Sequence, residues 1–384
     1  MTYLDHNATS PLRPEAKAAV ERALAVGGNP SSVHAAGRAA RAMIEKARDQ
    51  VARLAGARAE DVIFTSGGTE ANALALWGAV NGAAEAGERI TRLFVSAIEH
   101  DSVLANAAAI AERVPGIRLQ TIPATADGIV DLEALRVLLR EGKGRALLAV
   151  MAANNETGVV QPMAQITSLA KEAGALLLVD AVQAAGKITV EFAQADYLSF
   201  SAHKIGGPQG AGALILRDGA PFAAQILGGG QERFRRAGTE NLSGIAGFGA
   251  AAEMAQNDLT KTSAIAKLRG RFETELKKIS PDVEIFGAAA PRLVNTSNFA
   301  LPGTAAETAL MALDLDGVMV SSGAACSSGK VRPSHVLKAM GVSEELARSA
   351  LRVSFGWNST DADVDAAIAS LSKLLSRVQA RVAA

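Results

Sequence analysis

Three things are scarce in this chain of 384 residues: cysteine, net charge and long apolar runs. The single cysteine, Cys326, excludes an internal disulfide, and a free thiol favours the cytoplasm. Basic and acidic residues number 39 each, so no net field gathers nucleic acid or an anionic membrane. No apolar run approaches the ~20 residues of a membrane span, and the first residues contain no basic or hydrophobic leader. We therefore expect a cytoplasmic protein without nucleic-acid or membrane partners.

The length and the hydrophobic pattern predict an α/β protein with two domains. A chain of this size usually divides its core. Short apolar runs alternate with alanine-rich helical stretches, which is typical of a mainly parallel sheet covered by helices on both faces. We expect strands at 62–64, 93–95, 119–122, 146–151, 176–179 and 197–200, with 211–216 returning antiparallel.

Helices are predicted at 14–26 and 35–55, before the first strand of the sheet. From Ser243 a long helical run extends through Leu276 and leads to the second domain. There the pattern predicts strands at 295–301, 318–322 and 351–355 and helices at 304–313 and 361–382. The predicted boundaries are an N-terminal arm at 1–12 that joins the small domain, a large domain at 13–255 and a small α+β domain at 256–384.

The most informative segment is 196–208, Asp-Tyr-Leu-Ser-Phe-Ser-Ala-His-Lys-Ile-Gly-Gly-Pro. It places Lys204 beside His203, directly after an apolar run and before a glycine turn. A lysine that is partly desolvated at such a place has a lowered pKa and can act as a nucleophile on a carbonyl cofactor. A solvated lysine at the end of a strand is the alternative that this segment alone leaves open.

A carboxylate ends another apolar run, at Leu-Leu-Leu-Val-Asp180, and Gln183 follows three residues later. Open α/β sheets bind ligands at the carboxyl ends of their strands. Pyridoxal phosphate enzymes need an acid there to keep the pyridinium nitrogen protonated. The alternative is that Asp180 is a helix N-cap.

A glycine turn, Thr-Ser-Gly-Gly68-Thr69-Glu, lies between a predicted strand and a predicted helix. Backbone amides at such a helix start attract phosphate. The turn lacks the lysine of a Walker motif and the full dinucleotide glycine spacing, so a nucleotide-binding module is disfavoured. A plain connection between strand and helix is the other alternative.

Cys326 lies in a small, hydroxyl-rich segment, Ser-Ser-Gly-Ala-Ala-Cys-Ser-Ser-Gly-Lys330. Such surroundings favour a mobile, reactive thiol. A small buried hydrophobic residue is the alternative.

Candidate site residues share one topological position, because Thr69, His100, Asn155, Asp180 and Lys204 each follow a predicted strand. Parallel strands end at one edge of a sheet, so we expect these side chains to meet there.

Together these elements resemble the cysteine desulfurases of the NifS/IscS type, which are class V members of the pyridoxal phosphate (PLP) aminotransferases. The resemblance runs almost end to end. Its other motifs lie at 3–9, 28–34, 37–38, 99–100, 154–158, 236–241 and 351–355. It implies a fold-type I enzyme with a seven-stranded sheet, a PLP cofactor, L-cysteine as substrate and a homodimer.

The resemblance also implies a role for each matching residue. Lys204 would bind the cofactor and then act as the base on the substrate, Asp180 would pair with the ring nitrogen, and His100 would stack on the ring and move protons. Asn155 and Gln183 would hydrogen-bond the phenolic oxygen of the ring. The cofactor phosphate would be surrounded by Gly68, Thr69, Ser201, His203 and, from the neighbouring subunit, Thr239.

At the substrate end, the resemblance implies that Arg352, with Asn155, binds the carboxylate of the amino acid. Cys326 would take the sulfur as a persulfide and pass it to an acceptor or iron-sulfur scaffold protein. Through that persulfide it would also contact a transient iron-sulfur cluster. The segment 236–241 leans toward the nitrogen-fixation type.

Three alternatives stay open from the sequence: a selenocysteine lyase, an ordinary class V aminotransferase and a sulfur-carrier scaffold without turnover. His6, Ser10 and Phe355 depart from the pattern expected of the family. They leave the mouth of the substrate site and the subfamily open, and none removes a catalytic group.

Overall fold

The computed structural model describes residues 1–189, 195–322, 326–327, 330–331 and 334–382; the side chains at 326–327, 330–331 and 379–382 lie outside that description. In chain order the strands are β1 (Thr2–Tyr3), β2 (Val62–Thr65), β3 (Ile90–Ser96), β4 (Arg118–Ile122), β5 (Arg145–Met151), β6 (Leu176–Asp180), β7 (Tyr197–Ser201), β8 (Gly212–Leu216), β9 (Glu284–Ile285), β10 (Thr296–Ala300), β11 (Val318–Met319), β12 (Cys326–Ser327), β13 (Lys330–Val331) and β14 (Ala350–Ser354).

The helices predicted at 14–26, 35–55, 304–313 and 361–382 begin and end within two residues of those bounds. The α-helices are α1 (Pro14–Val26), α2 (Ala35–Ala55), α3 (Gly68–Glu85), α4 (Asp101–Arg113), α5 (Leu132–Arg140), α6 (Met163–Glu172), α7 (Leu242–Asp258), α8 (Thr262–Ile279), α9 (Ala306–Leu315), α10 (His335–Ala339), α11 (Glu344–Arg348) and α12 (Asp361–Val382). Local chemistry sets these bounds. For example, α2 begins where the ring of His34 accepts the N–H of Gly37, and it ends at Gly56, whose φ is 63°.

The large sheet has seven strands in the order β2-β8-β7-β6-β5-β3-β4. Strand β8 is antiparallel to β7 and β2, and the other pairings are parallel. The predicted mainly parallel sheet, with an antiparallel return at 211–216, is confirmed. It places the ends of β2, β3, β5, β6 and β7 along one edge, where the predicted site residues follow.

Helices cover both faces of this sheet because neighbouring strand residues point to opposite sides. Phe64 and Leu148 belong to a core shared with α1, α2 and α7. Ile63 and Leu147, one position earlier on the same strands, belong to a second core shared with α3 and α4. Burial on both faces explains why these strands are apolar throughout.

A third core lies in the C-terminal part of the chain, between β10, β14 and helices α8, α9 and α12. Leu4 of the N-terminal arm is buried in it, and β1 pairs with β11. The boundaries at 12 and 255 stay predictions. Within the described residues, no helix is both long enough and apolar enough to cross a membrane.

The long helical run predicted from Ser243 to Leu276 is instead two helices, α7 and α8, separated by a short 3-10 turn at Leu259–Lys261. The hydroxyl of Thr260 donates to the carbonyl oxygen of Asn257 at 2.9 Å. Such side-chain bonds compete with the helical pattern of the backbone, and the sequence interpretation overlooked them.

Candidate active site

A cleft of about 970 Å³ opens where the parallel strands end. Its wall includes every predicted cofactor- and substrate-binding residue except Thr239, namely Gly68, Thr69, His100, Asn155, Asp180, Gln183, Ser201, His203, Lys204 and Arg352. The proximity expected from topology is therefore present. The roles given to the individual residues stay predictions at this point.

The start of α3 forms one part of the cleft wall. Its N-cap is Gly67, which makes no side-chain capping bond, so the first backbone N–H groups can meet a ligand. A Cβ atom added at Gly68 would lie 2.8 Å from Cγ2 of Val182, so glycine keeps this wall open. Amides of a helix start, next to the hydroxyls of Thr69 and Ser201, are suited to a phosphate.

Lys204 follows β7 in a single 3-10 turn, Ala202–Lys204. Its Nζ donates to the carbonyl oxygens of Asn7 at 2.7 Å and Ala8 at 2.8 Å. Burial, and next the positive charge of Arg352, lower the pKa of Lys204 to about 8. Roughly a fifth of this amine is therefore neutral at about pH 7.4, far more than at its ordinary pKa, and is able to attack an aldehyde.

His203 lies beside this lysine and lines the same cleft. Its Nδ1 is 3.2 Å from the hydroxyl oxygen of Thr9. Burial, and then the charges of Lys204 and Lys187, lower its pKa to about 4. The ring is therefore uncharged at neutral pH and presents one donor and one acceptor.

Asp180 ends β6 and is buried. One carboxylate oxygen accepts the backbone N–H of Val182 at 2.9 Å, and the other accepts Nδ2 of Asn72 at 2.8 Å. The first contact is the local bond expected of a capping residue, although a turn and no α-helix follows. The second contact fixes the carboxylate on the cleft wall.

Asp180 and His100 are connected through two side chains. Nδ2 of Asn72 also donates to Oγ of Ser102 at 3.0 Å, and that oxygen is 2.8 Å from Nδ1 of His100. His100 is the N-cap of α4, and its Nδ1 accepts the backbone N–H of Ser102 at 3.0 Å. The ring's donor nitrogen is therefore Nε2.

Glu99 precedes His100 and is completely buried. Its Oε1 accepts the backbone N–H of Met151 at 2.7 Å. Burial, and next the charge of Asp180, raise its pKa well above the usual value. The backbone oxygen of Glu99 lies 2.9 Å from Nε2 of His335, which also lines the cleft.

Arg352 projects from β14 and is only 4% exposed. One terminal nitrogen donates to the carbonyl oxygen of Asn155 at 2.9 Å, and the other forms an ion pair with Asp5 at 2.7 Å. Its Nε is buried and has no hydrogen-bond partner among the described residues. The guanidinium therefore keeps N–H groups for a further acceptor.

One predicted residue, Thr239, is not brought into the cleft, and the side chain of another, Cys326, is not described. Thr239 is exposed and does not line it, so a contact made from a neighbouring subunit stays a prediction. The thiol of Cys326, and the metal contact predicted for it, lie outside the described residues. Its backbone belongs to β12, which pairs with β13. In the part of the chain that is described, no group of three metal-ligating side chains could hold an ion.

Asn7 is the main residue that sequence reasoning missed. Its carbonyl oxygen accepts both Lys204 and Gln183, and its side chain bonds Thr296 at 2.9 Å and Asn295 at 3.0 Å. No local signal singles it out, because Thr296 is 289 positions away in the chain. Asn72 and Asp5 were missed for the same reason, and Lys187 was missed because its partner Gln183 lies four positions away in a turn, where that spacing predicts no contact.

The comparison with family models decides the identity of the fold. The model described as aminotransferase class V matches residues 2–367. The chain belongs to the class V aminotransferase family.

Curated members of this family are similar over nearly the whole chain. An "IscS-like cysteine desulfurase" of Mycobacterium tuberculosis is 40% identical, with 99% of this chain and 97% of the relative covered. A "cysteine desulfurase" of Cereibacter sphaeroides is 43% identical, with coverages of 98% and 96%. Among solved structures, a NifS-like protein from Rickettsia africae superposes with a TM-score of 0.88 at 36% identity, covering 98% of this chain and 99% of that one.

Class V aminotransferases use PLP, and the residues of this cleft fit that group. A helix start without a side-chain cap, with Gly68 and two hydroxyls beside it, is suited to the phosphate. A buried carboxylate, Asp180, matches a protonated ring nitrogen, and an amine of lowered pKa, Lys204, matches the aldehyde.

Proposed function

We propose that this class V protein is a cysteine desulfurase. It would remove sulfur from L-cysteine, release L-alanine and keep the sulfur as a persulfide on Cys326. One observation carries the proposal: the desolvated amine of Lys204 shares a single cleft with the buried carboxylate of Asp180 and the buried guanidinium of Arg352. Relatives named cysteine desulfurase, similar over nearly the full chain, support this choice.

The cofactor end of the cleft serves the first half of the reaction. PLP, when bound, supplies an electron sink next to the substrate α-carbon. Asp180 stabilises positive charge at the ring nitrogen, and Asn72 keeps that carboxylate in place. Lys204 holds the cofactor, and its amine, once released, accepts the α-proton of the substrate.

The substrate end orients L-cysteine. The guanidinium of Arg352 has N–H groups left for a carboxylate, and Asn155 lies beside it. Asp5 already pairs with the same guanidinium, so the substrate carboxylate binds a cation whose charge is partly balanced. This arrangement selects α-amino acids by their carboxylate and leaves the side-chain sulfur for Cys326.

The sulfur step uses the thiolate of Cys326 as nucleophile. It attacks the substrate sulfur, so that an S–S bond forms while the C–S bond breaks. The electron pair of the broken bond stays with carbon, which takes a proton to give alanine. The persulfide then carries its outer sulfur to an acceptor protein.

We further propose a cytoplasmic homodimer that passes its sulfur to an iron-sulfur scaffold protein, including one that serves nitrogenase clusters, with transient cluster contact at Cys326. The exposed position of Thr239 is consistent with a contact to the phosphate in a second subunit.

Mixing a Lys204→Ala protein with a Thr239→Ala protein tests the shared site. Partial recovery of activity is expected, and two fully inactive parents that stay inactive after mixing and re-association would contradict it.

The function is tested with L-cysteine and a reductant by following sulfide, alanine and the visible absorption of the cofactor. We expect Cys326→Ala to keep the absorption band but lose sulfide release, and Lys204→Ala to lose the band. Lys17→Ala, exposed on α1, is the control that changes neither. Undiminished sulfide from Cys326→Ala would defeat the thiol's role. A keto-acid product would indicate an aminotransferase. Activity with selenocysteine alone would indicate a selenocysteine lyase, and a protein without any turnover would be a sulfur carrier.

A further inference from the structure

Lys187 lies on a wall that separates two cavities. The cleft described above lies on one side and is lined by Gln183. A second cavity of about 740 Å³ is lined by Lys187, and Lys204 lines both cavities. Lys187 does not line the cleft itself, so neither the cofactor nor the substrate would contact it there.

Three hydrogen bonds cross this wall in series. Nζ of Lys187 donates to Oε1 of Gln183 at 2.7 Å, and Nε2 of Gln183 donates to the carbonyl oxygen of Asn7 at 2.9 Å. The same carbonyl oxygen accepts Nζ of Lys204 at 2.7 Å. Gln183 is only 4% exposed, so its polar atoms depend on these protein partners.

The two partners of Gln183 allow only one orientation of its amide. If the amide turned over, its oxygen would face the carbonyl oxygen of Asn7 and its NH2 group would face Nζ of Lys187. The first contact would be repulsive at any pH, since two acceptors would meet, and the second whenever Lys187 is protonated, since two donors would meet. In the observed orientation one amide hydrogen is bound to Asn7, and the other remains for an acceptor in the cleft.

We propose that Lys187 is a positioning residue: by holding the amide oxygen of Gln183, it makes that side chain a hydrogen-bond donor toward the cofactor and toward the carbonyl that binds Lys204. The inference rests on the proposed PLP-dependent function. It assigns Lys187 no contact with cofactor or substrate. Burial, and then the neighbouring charges of Lys204 and Arg352, lower the pKa of Lys187 to about 7.

The test replaces Lys187 by methionine, which keeps most of the apolar stem, and by arginine, which keeps a charged donor. Binding of PLP to the cofactor-free protein and the absorption maximum of the bound cofactor are measured. We expect Lys187→Met to weaken PLP binding about tenfold and to shift the maximum, because a charge-assisted hydrogen bond is lost and the amide is free to turn. Lys187→Arg should keep most of the PLP affinity and an absorption maximum close to that of the parent protein.

A double-mutant cycle separates positioning from general destabilisation. In a Gln183→Leu background, Lys187→Met should change PLP affinity less than about twofold, because the residue through which it acts is gone. Lys261→Met, on the wall of the same rear cavity but paired with Asp258, is the matched control and should leave the spectrum unchanged.

Two results would overturn the inference. One is a Lys187→Met protein with the PLP affinity and spectrum of the parent. The other is an equal loss in the presence and absence of Gln183. Failure of the proposed function itself looks different, because the parent protein would then bind no PLP or release no sulfide from L-cysteine.

Discussion

The proposed cofactor end of the cleft lies on one sheet, whereas the proposed substrate end is assembled from three separate parts of the chain. Thr69, Asp180 and Lys204 each follow a strand of the seven-stranded sheet. Arg352 instead projects from a strand of another sheet, and it is bound by Asp5 of the N-terminal arm and by Asn155 after β5. The first group is positioned by cores on both faces of one sheet, and the second by polar contacts between distant segments.

This difference separates two kinds of stability. Residues at strand ends keep their places as long as the sheet persists, because its apolar cores are closely packed. Residues at the substrate end keep their positions only while three segments stay in contact: the N-terminal arm, strand β14, and the loop that follows β5. We therefore expect substrate binding to be more easily disturbed than cofactor binding, and three experiments examine that expectation.

The largest effect should come from Arg352→Lys, which keeps the charge and loses the planar fork of donors. KM for L-cysteine should rise about 10- to 100-fold, while PLP affinity stays near that of the parent, because the phosphate and the ring are bound elsewhere. Steady-state kinetics measure KM for L-cysteine, and titration with PLP measures the PLP affinity. Arg348→Lys, in an exposed pair on α11, is the control. An equal loss of PLP affinity would mean that the two ends do not act separately.

An intermediate effect is expected from Asn7→Ala, since Asn7 contacts both ends. The change removes buried hydrogen bonds to Thr296, Asn295 and the carbonyl oxygen of Asn155. The free energy of unfolding should fall by about 2–3 kcal/mol, measured by urea denaturation of the cofactor-free protein. Asn81→Ala, whose side chain bonds only Gln225 near the surface, should change it by less than about 0.5 kcal/mol. Similar losses in the free energy of unfolding of Asn7→Ala and Asn81→Ala would argue against Asn7 as the residue that joins the two ends of the cleft.

The smallest effect concerns pH. The pKa of Lys204 is about 8, so PLP capture by the cofactor-free protein should rise with pH through that value as the amine loses its proton. Arg352→Met removes a positive charge that lowers this pKa, so the midpoint of the pH dependence of PLP capture should move to higher pH by about half a unit. Stopped-flow absorption at several pH values gives the midpoint. A midpoint that stays in place would show that the two ends are electrostatically independent.

The same pKa has a consequence for folding, with a definite sign. In the unfolded chain Lys204 has its ordinary value near 10.5, so between about pH 8 and 10.5 the unfolded state binds the additional proton. Stability contributed by this group therefore rises with pH across that window and is lowest below pH 8.

The residues predicted at the cofactor end have local sequence signals, and the structure brings them into one cleft, while their roles stay predictions. A strand, a glycine turn and a helix start lie together around Gly68, and an apolar run leads directly to Asp180. The shared sheet edge then follows from topology alone. The orientation of each side chain was not predictable in this way.

The substrate end shows where such reasoning stops. Arg352 came from the family resemblance, and its partner Asp5 lies 347 positions away. Asn7 contacts residues that are far away in the chain, whereas Lys187 contacts Gln183 only four positions away, in a turn where that spacing predicts no contact. The break between α7 and α8 was missed because hydroxyl-to-carbonyl bonds interrupted a run that was otherwise helical.

The N-terminal arm also has a consequence for biosynthesis. Ribosomes make Asp5 first, and Arg352 emerges 347 positions later, which at about 5–20 residues per second takes about 17–70 seconds. Asp180 and Lys204 are made roughly midway through that interval, and until Arg352 follows, the nascent chain exposes them without the segment that closes their pocket. The geometry proposed for PLP binding is thus complete only after translation has almost finished.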